Sequence, residues 1–196
     1  MGNLLSSLSK TIHASLALAI ILFIGLFIGN GGFDFDRLFW SWLFRLIHVV
    51  VAIMWIGLLW YFNFVQIPNM GKIPDDQKPA ISKVIAPAAL WWFRWGSVAT
   101  VVTGLILAHL NGYLHDAMTF SNGFWPIGIG MWLAIIMFLN VWIVIWPNQK
   151  KALGIVEVDA ETKAKAARKA MLFSRKNTIL SIPMLVAMTV AQNSFT

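Results

Sequence analysis

Arg45 and His48 stand one helical turn apart in "RLIHVVVAIMWIGLLWYF", residues 45–62 of an otherwise apolar run. An ionisable side chain in hydrocarbon costs at least about 2.5–3.5 kcal/mol, so each needs a partner or a purpose. Neutral imidazole ligates haem iron, and a guanidinium one turn nearer the aqueous side can meet a propionate. This pairing makes His48 a candidate ligand of a b-type haem and Arg45 its propionate partner. His109, close to the end of a later apolar run, is the candidate second iron ligand, provided that its helix tilts enough to bring it to the depth of His48. His115, just beyond, is a candidate propionate contact.

Blander readings stand beside these. His48 can be a satisfied buried histidine that donates to a carbonyl or pairs with Asn63, Asn140 or Gln66, and His109 can be structural. A membrane metal-handling protein with copper or zinc on the histidines is a further option, with a thin donor set: Asp34, Asp36 and Asp116 are the only carboxylates on that side. With no cysteine in the chain, disulfides, thiolate metal sites, iron–sulfur clusters and c-type haem attachment are excluded.

The elements that must position these residues follow from composition. The 196 residues are 59% hydrophobic and 12% charged, with a mean hydropathy of +0.73. A soluble domain of this length lacks the interior to hide so much apolar surface. Eleven tryptophans and fourteen phenylalanines suit lipid-facing surfaces and interfacial belts. The expected class is an all-α, polytopic transmembrane helix bundle forming a single domain, in contact with a lipid bilayer. Runs near 13–29, 38–66, 86–110 and 124–146 reach or approach the roughly 20 residues needed to cross. A fifth, 177–191, is short, contains Pro183, and spans only if its helix begins in the basic segment before it. The first run carries no small-residue cleavage site, so it reads as a span and "GNGGFDFD" as a turn into the next helix.

Positive charge sets the orientation. With the N-terminus cytoplasmic, the inner segments hold Lys10, then Lys72, Lys78 and Lys83, then eight more from Lys150 to Lys176; the outer ones hold Arg37. Twelve against one is a strong positive-inside bias. The net charge of +7 therefore belongs to loops facing anionic lipid and not to a nucleic-acid surface. The basic loop 147–176 contains "VDAETKAKAARKAMLFSRK", with Asp159 a helix N-cap. It is either a surface for anionic lipid or an acidic partner, or a solvated helix extending the last span; the second is favoured. Arg94 among Trp91, Trp92 and Trp95 reads as an interfacial anchor, "GIG" at 128–130 as close helix packing, and Asn63 and Gln66 as interhelical glue.

"RLIHVVVAIMWIGLLWYFNFVQIPNM" and "WWFRWGSVATVVTGLIL", with "VWIVIWPNQK" and "SRKNTILSIPML" later, resemble the membrane domain of the bacterial membrane-bound urate oxidases over about residues 38–190. In that family a periplasmic cytochrome c domain follows the membrane helices; the absence of cysteine leads us to expect none fused here. More loosely, a histidine followed by W-x-G in an apolar helix is similar to small haem- or copper-associated membrane families, including b-haem protoporphyrinogen oxidases. That motif maps onto His48, Trp55 and Gly57. The resemblance implies a multi-pass protein of the bacterial inner membrane that binds haem b and transfers electrons, possessing a urate oxidase-like activity coupled to an external cytochrome c or another redox partner. The rival expectation is a cofactor-free accessory subunit of a larger membrane complex or homo-oligomer.

Overall fold

The computed structural model describes residues 2–29, 31–32 and 34–193, except for the side chain of Asn3. Two compact units emerge, Met1–Trp40 and Ser41–Thr196. No strand occurs among the described residues. The fold is an all-α bundle, and four of its helices are long and apolar enough to cross a membrane.

In the first unit α1, Leu8–Gly29, buries none of its side chains, as expected of a span whose solvent is lipid. Phe23 and Phe27 meet Phe39 edge-on at 6.3 and 6.1 Å. In the turn expected at 29–36, Gly31 and Gly32 take φ of 97° and 116°, which only glycine adopts freely; Asn30 and Phe33 lie outside the described residues. Asp36 Oδ1 accepts from the Phe39 amide at 2.9 Å and starts the next helix.

That helix, α2 (Arg37–Lys72), is followed by α3 (Lys78–Leu110), the short α4 (Leu114–Thr119), α5 (Trp125–Ala152) and α6 (Ala160–Val190). Each of the four spans runs past at least one of the ends expected from hydropathy, because helix continues into polar flanks that a hydropathy count leaves out. The stretch 147–176 is mostly helix rather than loop: it is broken only around 153–159, and α6 is one 31-residue helix beginning in the basic segment. Asp159 caps it as expected, accepting from the Thr162 amide at 2.8 Å and the Thr162 hydroxyl at 2.6 Å.

Those hydrogen bonds hold the Asp159 carboxyl below the usual aspartate pKa. A lowered folded-state pKa means the cap stabilises fully above the ordinary aspartate range and is lost as pH falls through the lowered value. Amide exchange at Thr162 and Lys163 is therefore expected to accelerate on acidification. In Asp159→Ala it should be fast and pH-flat once intrinsic exchange is divided out; unchanged protection in that variant would disprove the cap.

Three spans contain a π-helical turn: Tyr61–Gln66, Ile81–Ile85 and Asn140–Ile145. Each is followed within two residues by a proline, Pro68, Pro87 or Pro147. Proline has no N–H and its ring collides with the carbonyl four residues back. Those carbonyls, of Phe64, Lys83 and Ile143, fall inside the three π turns. Widening the preceding turn is the relief each helix takes.

The core of the second unit joins Trp55, Leu59 and Phe62 of α2, Phe93 of α3, Met137, Val141 and Ile145 of α5 and Met184 of α6. Beside it runs a polar seam along α6. Asn63 donates to Ser174 Oγ at 2.8 Å, Asn140 to Asn177 Oδ1 at 2.9 Å, and Asn177 to the Met137 carbonyl at 2.9 Å. Asn63 is thus helix glue, as its position suggested; Gln66 Oε1 is buried with no partner among the described residues. The Arg94 guanidinium lies 3.4 Å from the ring centre of Trp146, a cation–π anchor. Gly128 and Gly130 are close-packing glycines: a Cβ on Gly128 would run into the Ala117 carbonyl, and one on Gly130 would sit 3.0 Å from Met188 Cγ.

Candidate functional site

The site is built from α2 upward. His48 Nδ1 lies 3.0 Å from the Thr100 carbonyl and 3.2 Å from Thr103 Oγ1. A carbonyl only accepts, so Nδ1 carries the proton. The Thr103 hydroxyl gives its own proton to the Ala99 carbonyl at 2.6 Å and can accept from the imidazole. The tautomer is fixed by α3, and Nε2 keeps its lone pair with no hydrogen bond among the described residues. A carbonyl holding one nitrogen so that the other can ligate is the arrangement found behind metal-binding histidines. The ring rests on bare backbone at Gly104, where a Cβ would come 2.9 Å from His48 Cε1.

His48 forms part of the wall of a cavity of about 580 Å³ between α2, α3, α5 and α6, within the range of cofactor and ligand pockets. The walls are mostly apolar, with His48, Thr100 and Thr189 among them and Arg45, Tyr113, Gln192 and Asn193 gathered at one end. Arg45 donates to Gln192 Oε1 at 3.1 Å across the α2–α6 gap. Tyr113, stacked on Phe124 at 5.4 Å and 16°, has its phenol pKa raised by burial, partly offset by the Arg45 charge. At the other end Trp60 Nε1 donates to Ser181 Oγ at 3.0 Å, again from α2 to α6. His48, Trp55 and Gly57, far apart as letters, all line this one space. Trp55 is fully buried, and its indole N–H has no acceptor among the described residues.

Arg45 and His48 are thus brought together as their spacing suggested. His109 and His115 are not brought to them. Both are exposed and neither lines the cavity. Helix α3 turns Thr100, Gly104 and Leu107 toward the cavity; His109, two residues past Leu107, is rotated by about 200°. It also lies six residues beyond Thr103, about 9 Å further along the axis. Among the described residues no group of three or more His, Cys, Asp or Glu is placed to hold a metal ion.

Sequence reasoning missed Gly104, Gln192 and the methionines. Thr100 and Gly104 form a small-xxx-small pair in "TVVTG", the available signal for a close approach on that face. Nothing local marked Gln192, which lies beyond the last apolar run.

A family model described as urate oxidase N-terminal matches residues 116–196. That range takes in α5, α6, Gln192 and the stretches "VWIVIWPNQK" and "SRKNTILSIPML". The α2 and α3 stretches that carry His48 and Arg45 lie outside it. No curated protein and no solved structure matches the chain significantly.

Proposed function

We propose that this membrane protein, whose residues 116–196 match the urate oxidase N-terminal family model, is urate oxidase-like and binds one haem b in the α2–α6 cavity. There it would pass electrons from urate or another small reductant to a cytochrome c outside the bacterial inner membrane. One observation carries the reading: His48 has its Nδ1 committed to the Thr100 carbonyl and its Nε2 uncommitted, on the wall of an apolar cavity with Arg45 at one end. The residues fit the group. His48 would be the iron ligand, Arg45 and Gln192 would supply donors for a propionate, and the Trp55 N–H is a buried donor left without an acceptor among the described residues. When bound, the haem supplies one-electron chemistry that the side chains lack. The chain contributes a fixed imidazole tautomer, a cation to balance the propionate charge and a dry aliphatic wall that tunes the potential.

The test is a reduced-minus-oxidised absorption spectrum of the full chain purified in detergent, with a pyridine haemochrome assay and metal analysis. The expected result is a b-type α-band at about one haem per chain. A flat spectrum from folded protein overturns the reading and leaves a cofactor-free accessory subunit in its place. Stoichiometric copper or zinc without haem would make it a metal-handling protein.

A further inference from the structure

We infer that the second ligand to the iron is a thioether, Met188 of α6, facing His48 across the cavity; the inference rests on the haem reading above. No histidine other than His48 lines the cavity, and the remaining soft donors on its walls are Met131, Met184 and Met188. A thioether is an established partner for histidine on haem iron.

The choice among the three comes from register. Helices α2 and α6 run antiparallel, tied by Arg45 to Gln192, Trp60 to Ser181 and Asn63 to Ser174. Each step along α2 is matched by a step back along α6. Counted from the Arg45–Gln192 and Asn63–Ser174 ties, His48 comes level with Thr189, about one turn before Gln192. Met188, the residue before it, is the methionine of α6 nearest that level. Met184 is a turn too deep and is buried in the core cluster with Trp55 and Leu59.

Met131 is level as well, but it belongs to α5, beside α3, rather than to the helix across the cavity from His48, and only 8% of it is exposed. Met188 is half-buried, and its thioether lies against Gly130, where an added Cβ would stand 3.1 Å from Sδ. The bare glycine gives a flexible side chain room to swing its sulfur, and methionine has the three rotatable bonds to do so. His48, Met131 and Met188 also line a second, small void of about 30 Å³, so both methionines come near the imidazole and it is their helix and exposure that separate them. The polar end then lies one turn beyond both ligands, His48 to Arg45 on α2 and Met188 to Gln192 on α6, where propionates need it.

The experiment uses the full chain in detergent and compares wild type with Met188→Leu, Met188→His and Met131→Leu. Ferric and ferrous spectra, carbon monoxide binding and the midpoint potential are recorded. Wild type is expected to be low-spin, with the weak far-red charge-transfer band of sulfur on ferric iron. Met188→Leu, which keeps volume, should retain haem, lose that band, turn high-spin and gain carbon monoxide binding. Met188→His should stay low-spin without the band and shift to a lower potential. Met131→Leu should match wild type. Haem with an unaltered spectrum in Met188→Leu overturns the thioether assignment and leaves the haem reading standing, as does loss of the band in Met131→Leu alone. Absence of haem from wild type overturns both.

Discussion

Replacing His48 with alanine is expected to strip the α-band from the purified protein while leaving the bundle folded. The side chain is only half-buried, and its hydrogen bonds go to one carbonyl and one hydroxyl that already have other partners in α3. Stability in detergent should therefore fall little. Haem affinity should fall at least about 100-fold, above the 10–100-fold seen when only a ligand's outer partner is removed. His48→Gly sharpens the result, because added imidazole should enter the vacated space and restore the band. Gly104→Ala tests the same geometry from the other side. Its Cβ, 2.9 Å from His48 Cε1, displaces the ring and should weaken haem binding without touching the ligand. A full haem complement in His48→Ala would remove this histidine from the site altogether.

The second large effect is on stability. In Gly128→Ala the new methyl collides with the Ala117 carbonyl, and a backbone atom cannot rotate aside. Helices α4 and α5 must separate, uncovering Ala117, which is fully buried. Overpacking of this kind costs about 1–3 kcal/mol. Gly130→Ala, two residues on, meets only the flexible end of Met188 at 3.0–3.2 Å and should cost clearly less. Apparent melting temperatures in one detergent at one scan rate separate the two. Equal values would show that the α4–α5 contact is not tight.

Four of the spans were legible because hydropathy is a summed quantity over some twenty residues, and an error at any one position does not move it. Their ends were not, since helix continues through Pro68, Lys78 and Pro147, where composition turns polar but backbone hydrogen bonding does not stop. The start of α6 was readable from Asp159 because a cap is a local device with its own chemistry. Arg45 and His48 were readable as a pair because three residues along one helix share a face. That His109 does not line the cavity was not readable, because the phase of α3 relative to α2 is a tertiary fact, set by Gly96 against Trp55 and Gly104 against His48. The π turns carried a signal in the prolines, but it shows only when the carbonyl four residues back is counted. Met188 was hidden by its chemistry: a methionine in an apolar helix is ordinarily core.

The proline-relieved turns share one further property. In the second unit all three lie at the same end of their helices, the lysine-bearing end, whereas the stretches around Arg45, His48, Thr100 and Met188 are unbroken α-helix. Compliance is therefore segregated from the cavity. Bending under strain is expected first in these wide turns, while the α2 and α3 backbone around the imidazole keeps regular α-helical bonding. With a haem in the cavity, as proposed above, such a surround would keep nuclear rearrangement small when an electron arrives or leaves.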